Sequence, residues 1–422
     1  MTPKKPMRAL PKLRFPEFAD EPPWECTALG KLAKRVTKRN SDGTELRALT
    51  NSAEHGVVDQ KEYFDKVIAA KTNNYFVVEK GDYVYNPRIS ATAPVGPISK
   101  NQIGRGVMSP LYTVFRFRNE SNDFFAQFFK SSHWHEYLQQ VSNSGARHDR
   151  MAISNDDLML MPIPTPSPAE QQKIAECLGS IDDLIASEGR KFEILSRHRQ
   201  GLMQQLFPQF DETIPQLRFP DFKESAEWLL PSLRKYLKIP ATYGIVKAGD
   251  YLSAGIPMIR GGDIKDGKIS VDLPLVAPEV HKQFQRTCLQ RNDVVVALVG
   301  YPGEAAVVPD ALIGANVSRA VGVLRVAPGV NPHYLAAYLN SPFGRASFLK
   351  SGAGSAQIVV NLSDLNALQL PLPSIDEQEQ IACCVSVINE ALAAQSEKLG
   401  RLTQHKHGLL QRLFPTLGGK TP

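Results

Sequence analysis

Two stretches of this chain carry apolar residues at alternating steps of four and three, the spacing of a helix with one buried seam. The first seam runs through Ile174, Leu178, Ile181, Ile185, Phe192, Leu195, Leu202 and Leu206. The second runs through Ile381, Val385, Ile388, Leu392, Leu399, Leu402, Leu409 and Leu413. Polar residues interrupt both at matching places, Glu188 with Gln395 and Arg199 with Lys406. Pro164, Pro166 and Pro168 stand before the first run with Ser167 available as a cap, and Pro208 and Pro415 end the two runs. The pattern predicts long helices over 167–209 and 374–416. Each would be about 38 residues, or about 57 Å, longer than one domain needs. A stripe of that length requires an equally long partner, so the two are expected to lie antiparallel as a spacer, with the polar seam positions fixing register.

The helices belong to an internal repeat. Pro164-Thr-Pro-Ser-Pro-Ala-Glu170-Gln171 returns as Pro371-Leu-Pro-Ser-Ile-Asp-Glu377-Gln378, and Leu206-Phe207-Pro208 as Leu413-Phe414-Pro415. A shorter echo opens each half, Leu13-Arg14-Phe15-Pro16 and Leu217-Arg218-Phe219-Pro220. Between these runs the side chains differ, yet a common skeleton persists: Lys80-Gly81-Asp82-Tyr83 aligns with Arg291-Asn292-Asp293-Val294, and Val114-Phe115-Arg116 with Val323-Leu324-Arg325. Short strand-like runs lie around 75–78, 83–85, 113–117, 294–299 and 321–326, with an aromatic-rich helix expected at 123–142. The expected fold is therefore α+β: globular domains over 1–166 and 210–373, in a pseudo-two-fold arrangement, separated by two long antiparallel coiled-coil helices. One scaffold carrying two surface chemistries is what two modules reading different things require.

Composition narrows the class. The 422 residues are 42% hydrophobic and 22% charged, proportions of a folded soluble chain. A net charge of +6 is compatible with a polyanionic partner without demanding one. Five cysteines, an odd number with no CxxC spacing, read as reduced thiols of a cytoplasmic protein. No run is long enough to span a membrane. No GxxxxGK[ST] loop or dinucleotide fingerprint is present. Tyr85-Asn86-Pro87-Arg88 lacks the second proline and the aromatic of an amino-methyltransferase motif. His133-Trp134-His135 and His405-Lys406-His407 place their imidazoles on different helix faces, so no metal or catalytic centre is expected. The reading is a binder without a cofactor of its own.

Two dissimilar domains, each followed by a Pro-x-Pro…Glu-Gln…Ile-Ala helix, resemble the specificity subunit of type I restriction–modification systems, and the resemblance covers essentially the whole chain. Supporting runs are Gly56-Val57-Val58-Asp59-Gln60, Asn74-Tyr75-Phe76-Val77-Val78 and Tyr85-Asn86-Pro87-Arg88. In the second half they are Gly255-Ile256-Pro257-Met258-Ile259-Arg260-Gly261-Gly262-Asp263-Ile264 and Val299-Gly300-Tyr301-Pro302-Gly303. The resemblance implies two target recognition domains that each read half of a bipartite, asymmetric sequence in double-stranded DNA. It implies two methyltransferase subunits docked on the helices, binding S-adenosylmethionine and methylating adenine N6, and ATP-dependent motor–nuclease subunits that cut unmodified DNA. Most side chains between the supporting runs follow no family pattern, so no target sequence carries over.

Base reading needs donors and acceptors at base edges, framed by cations on phosphates. The candidates in the first domain are Arg88, Ser90 and Thr92, then Lys100 and Arg105, then Arg147, His148 and Arg150. Those in the second are Arg260, Tyr301, Ser318, Arg319, Ser355 and Gln357. Arg147→Ala and Gln357→Ala are each expected to weaken cognate binding by about 1–3 kcal/mol. Four residues inserted in one helix should lengthen the gap between half-sites. The competing reading, a protein-interaction scaffold with two unlike domains on a coiled coil, would lack steep salt dependence of DNA binding.

Overall fold

Within the first domain, short and largely buried strands build two sheets, one antiparallel and one mixed; the strands are β1 (Ala33–Arg35), β2 (Ala48–Ser52), β3 (Gly56–Asp59), β4 (Phe76–Val78), β5 (Tyr83–Tyr85), β6 (Ile98–Lys100), β7 (Gly106–Met108) and β8 (Thr113–Phe117). One sheet has the order β1-β8-β5-β6 and the other β3-β2-β7-β4, with β2 and β7 parallel. This computed structural model describes residues 8–66, 72–142, 149–209, 212–350 and 360–416.

The second domain repeats the plan with β9 (Thr242–Tyr243), β10 (Ile256–Ile259), β11 (Leu275–Val276), β12 (Asp293–Ala297), β13 (Ala305–Val307), β14 (Asn316–Val317) and β15 (Val321–Arg325). Its sheets run β9-β15-β12-β13 and β11-β10-β14, again with one parallel pair, β10 and β14. The shared skeleton has a physical basis at one turn. Arg116 forms two hydrogen bonds, 2.5 and 2.9 Å, to the buried Asp82, and Arg325 forms two, 2.9 and 2.8 Å, to the buried Asp293. Each aspartate also accepts a backbone N–H three residues upstream, from Glu79 and from Gln290. The residue before each aspartate, Gly81 at φ 91° and Asn292 at φ 67°, is left-handed, a conformation that glycine and asparagine tolerate best. The fillings differ: the first core is aromatic, with Tyr83, Phe115, Phe117, Phe124, Phe128 and Trp134, whereas the second is mainly aliphatic around Val294, Val296, Leu324, Tyr334 and Tyr338.

The helix expected at 123–142 is two helices, α1 (Asp123–Phe129) and α2 (His135–Val141). They are separated where Ser131 Oγ donates to the Phe128 carbonyl at 2.7 Å and competes for the helical acceptor. The long helices are α3 (Pro168–Gln205) and α4 (Ile375–Leu413). Ser167 and Ser374 each accept the N–H of the glutamate three residues on, at 3.4 and 3.3 Å.

The described residues divide into two compact units, one reaching to Gly189 and resuming at Lys398, the other Arg190–Glu397. In the first unit Lys406 donates to Asp182, and Lys398 to Glu188 at 2.6 Å, so the helices run antiparallel there. In the second, Arg199 donates to Asn389 at 2.6 Å. The repeat that maps Glu170 onto Glu377 maps Asp182 onto Asn389 and Arg199 onto Lys406, so these cross-helix contacts are equivalents of one another. All the seam residues are buried or half-buried. The ends of the seams do a second job. Ile174 and Leu178 join Leu410, Leu413 and Phe414 in the first domain's core; Met203, Leu206 and Phe207 join Ile381 and Val385 in the second's.

Candidate nucleic-acid interface

The helix starts are clamped to their domains by a motif pair whose joint role the sequence reading missed. Arg14 makes two 2.8 Å hydrogen bonds to Glu170, a fully buried carboxylate that also accepts Trp24 Nε1 at 2.9 Å. Arg218 grips Glu377 in the same way at 2.8 and 2.9 Å. Gln171 and Gln378 donate to the carbonyls of Pro166 and Pro373. The Leu-Arg-Phe-Pro echo and the Glu-Gln pair are thus one device that fixes how each helix leaves its domain. The signal was the recurrence of both motifs in each half, 156 residues apart in the first and 159 in the second.

In the first domain, Arg88, Ser90 and Thr92 are exposed on the turn that follows β5. An antiparallel bridge joins Arg88 to Arg150, Ile89 N–H donates to the Asp149 carbonyl at 3.0 Å, and Asp149 lies 3.9 Å from Arg88 and 3.6 Å from Arg150. These four candidates therefore form one patch. Lys100 does not join it. It pairs with Tyr83 across the ladder, at the opposite end of β5 and β6, and its ammonium is 2.7 Å from Asp123. Arg105 is held 3.2 Å from Glu45 and 3.6 Å from Glu79. Arg147, His148, Ser355 and Gln357 lie outside the described residues.

The second domain brings its remaining candidates together. Ser318 N–H donates to the Ile259 carbonyl at 2.9 Å, next to Arg260, and Arg319 N–H donates to the Ile245 carbonyl at 2.9 Å. A Cβ on Gly261 would stand 2.5 Å from the Val299 carbonyl oxygen, so the absence of a side chain lets the 260–263 turn rest against the strand end leading to Tyr301. Arg260 is oriented by two bonds to Asp263, 3.0 and 2.9 Å, while half of its side chain stays exposed. Tyr301, Arg319, Tyr243 and Tyr251 are exposed around it. Asn316, two residues before Ser318, is buried and accepts a 2.6 Å hydrogen bond from Thr287.

A hollow of about 930 Å³ in the first unit is a poor place for a polyanion. It is lined by Glu54, Asp123, Glu176, Asp182 and Asp183, against the lysines 100, 130 and 406. Burial alone would raise the pKa of Asp182, but hydrogen bonds from Lys130, Lys406 and Gln127 bring it down to about 2. The Lys406 ammonium moves the other way from a simple pair: burial and the Lys130 charge lower its pKa despite Asp182. His133, half-buried beside Leu410 and Gln411, also has a pKa lowered by desolvation. Among the described residues no cluster of His, Cys, Asp and Glu could hold a metal ion, and no helix is long and apolar enough to cross a membrane.

With two equivalent scaffolds and two unlike surface patches in place, comparison with known proteins is direct. A family described as type I restriction modification DNA specificity domain matches residues 45–196 and again 240–403. The chain belongs to that family. It is similar to the EcoBI type I restriction enzyme specificity subunit of Escherichia coli, 28% identical over 263 residues, covering 58% of this chain and 55% of the relative. It is similar to the MjaVIII specificity subunit of Methanocaldococcus jannaschii, 21% identical over 421 residues, covering 95% and 93%. The alignment thus spans about half the length of EcoBI and nearly all of MjaVIII. In fold it is similar to the type I restriction–modification S subunit of M. genitalium, with a TM-score of 0.59 at 14% identity, covering 96% of this chain and 99% of the other. A chain from a type I restriction–modification assembly gives 0.56 at 16% identity, covering 93% and 97%.

Proposed function

We propose that this chain is the DNA-reading subunit of a type I restriction–modification enzyme and carries no catalytic residues itself. Each domain reads one half of a bipartite, asymmetric target in double-stranded DNA. The patch of Arg88, Ser90, Thr92 and Arg150 serves one half-site, and that of Arg260, Tyr301, Ser318 and Arg319 the other. The paired helices set the gap between half-sites and offer equivalent docking positions to two methyltransferase subunits. Those subunits would bring S-adenosylmethionine and methylate adenine N6, and ATP-dependent motor–nuclease subunits would complete the restricting complex.

The observation that carries this reading is one scaffold displayed twice with different side chains at equivalent places. Aligned through Asp82 and Asp293, Arg88-Ile89-Ser90 corresponds to Val299-Gly300-Tyr301. Direct readout depends on which donors and acceptors reach base edges, so such a replacement changes the sequence read and leaves the scaffold intact. The test is to express the chain with and without its companion methyltransferase and map N6-methyladenine across the genome. A bipartite motif that requires both proteins supports the reading; no motif, with both proteins expressed and folded, overturns it.

A further inference from the structure

From Thr27 to Ser41 the chain has no acidic residue and five cations, Lys31, Lys34, Arg35, Lys38 and Arg39. Lys34 and Arg35 lie on β1, at the edge of the β1-β8-β5-β6 sheet, Lys38 and Arg39 on its continuation, which pairs with β4 of the other sheet, and all four are exposed. Among the described residues the side chains of Lys34, Arg35 and Lys38 make no hydrogen bond or ion pair. Arg39 is steered by the Asn74 carbonyl at 2.7 Å and the Phe76 ring at 5.1 Å.

Charged side chains on an edge strand are also a common defence against edge-to-edge pairing. Here the cations continue past the strand and run towards the end of the sheet that bears the Arg88 patch. Val36 N–H meets the Val114 carbonyl and Thr113 pairs with Tyr85, so β1 runs towards the Tyr85 end of the sheet; beyond it Lys38 and Arg39 pair with Val77 and Phe76 of β4, and Phe76 lines the same cavity as Pro87. Arg35 shares a cavity of about 410 Å³ with Pro87 and Met151, the immediate neighbours of Arg88 and Arg150. Six cations thus converge on one end of the first domain, with Asp149 paired between two of them.

The second domain places its cations differently: Arg234, Lys235, Lys238 and Lys247 flank the equivalent edge strand without occupying the matching positions. Registering the sheets through Arg116 and Arg325, each opposite its edge strand, sets Lys34, Arg35, Lys38 and Arg39 against Pro240, Ala241, Gly244 and Ile245. None of those four positions is charged.

We infer that this edge strand binds the DNA phosphate backbone at the first domain alone, so that the two half-sites are held unequally: one by a run of cations, the other mainly by the Arg260–Tyr301–Arg319 patch. The inference rests on the DNA-reading function proposed above and assigns residues to it that carry no sequence information.

The experiment measures binding of the full chain to a labelled duplex of arbitrary sequence across a potassium chloride series. It compares the wild type, a variant with Lys34→Gln, Arg35→Gln and Lys38→Gln together, and a control with Lys191→Gln, Arg197→Gln and Lys282→Gln. Each phosphate contact contributes about 0.9 to the slope of log affinity against log salt, so the strand variant should lose about 2.7 from that slope. The control should keep the wild-type slope. An undiminished slope in a folded strand variant overturns the assignment and leaves the DNA-reading function standing. A strand variant that keeps its slope but no longer assembles with the methyltransferase overturns it in favour of an acidic protein surface. A wild type without salt-dependent binding overturns both.

Discussion

Phe414 lies close to the end of the chain, yet its ring sits inside the first domain, 1% exposed and 5.3 and 5.6 Å from the rings of Phe124 and Phe128. Leu410 and Leu413 enter the same core, and the Arg412 carbonyl accepts Leu13 N–H at 2.9 Å. Phe414→Ala removes a buried aromatic and leaves a cavity that the surrounding rings fill only in part, a loss of about 3–5 kcal/mol. For a unit of this size each kcal/mol shifts the melting midpoint by about 2–4 °C, so a drop of about 6–20 °C is expected. Amide hydrogen exchange locates the damage. Protection should fall in β5, β8 and α1 while β12 and β15 keep theirs, because the equivalent Phe207 packs on Tyr334 and Tyr338 in the other core. Phe414→Leu should recover most of the loss. A change below about 1 kcal/mol, or equal loss of protection in β12 and β15, would refute the idea that the far helix end completes the first core.

Three further outcomes follow from named contacts. Glu170→Ala strands a buried guanidinium and the Trp24 indole, and should cost about 3–5 kcal/mol in a urea titration, with exchange in the second unit unchanged. The Asp182 carboxyl titrates below its ordinary 3.8, near 2, so its stabilising effect is complete above pH about 4 and is lost as pH falls through about 2. Asp182→Asn should therefore narrow its stability gap from the wild type across that window; a gap constant with pH would contradict the assignment. Arg319→Ala should lower cognate DNA affinity by about 1–3 kcal/mol and reduce the ratio of cognate to non-specific affinity, whereas a uniform loss on all sequences would make Arg319 a phosphate contact.

The helices were legible because their signals are local: a seam at steps of four and three, proline before, serine at the cap, proline after. The strands over 83–85 and 113–117 appear as expected. Strands β2, β3 and β7 were not foreseen, since runs of three to five residues with little alternation acquire their identity from the parallel β2–β7 pairing, a contact distant in sequence. The clamp of Arg14 on Glu170 was invisible for the same reason, although both motifs had been seen. At the candidate interface, glycine-bearing turns after strands were legible for Arg88 and Arg260. The sequence could not say that Asp123 would claim Lys100, or that Glu45 and Glu79 would surround Arg105. Charge patterning along 27–41 was readable in principle, but only the sheet order gives it an edge and a direction.

The central claim is that two domains read two half-sites whose separation the helix pair sets. Four residues inserted between Glu188 and Arg199, matched by four between Asn389 and Lys398, preserve the contacts of Asp182, Glu188, Arg199 and their partners while adding about 6 Å to each helix. Mapping N6-methyladenine in cells that carry this variant and the companion methyltransferase should return the wild-type half-sites with a gap longer by about one to two base pairs. Altered half-sites, or an unaltered gap in a variant that still methylates, would contradict the account.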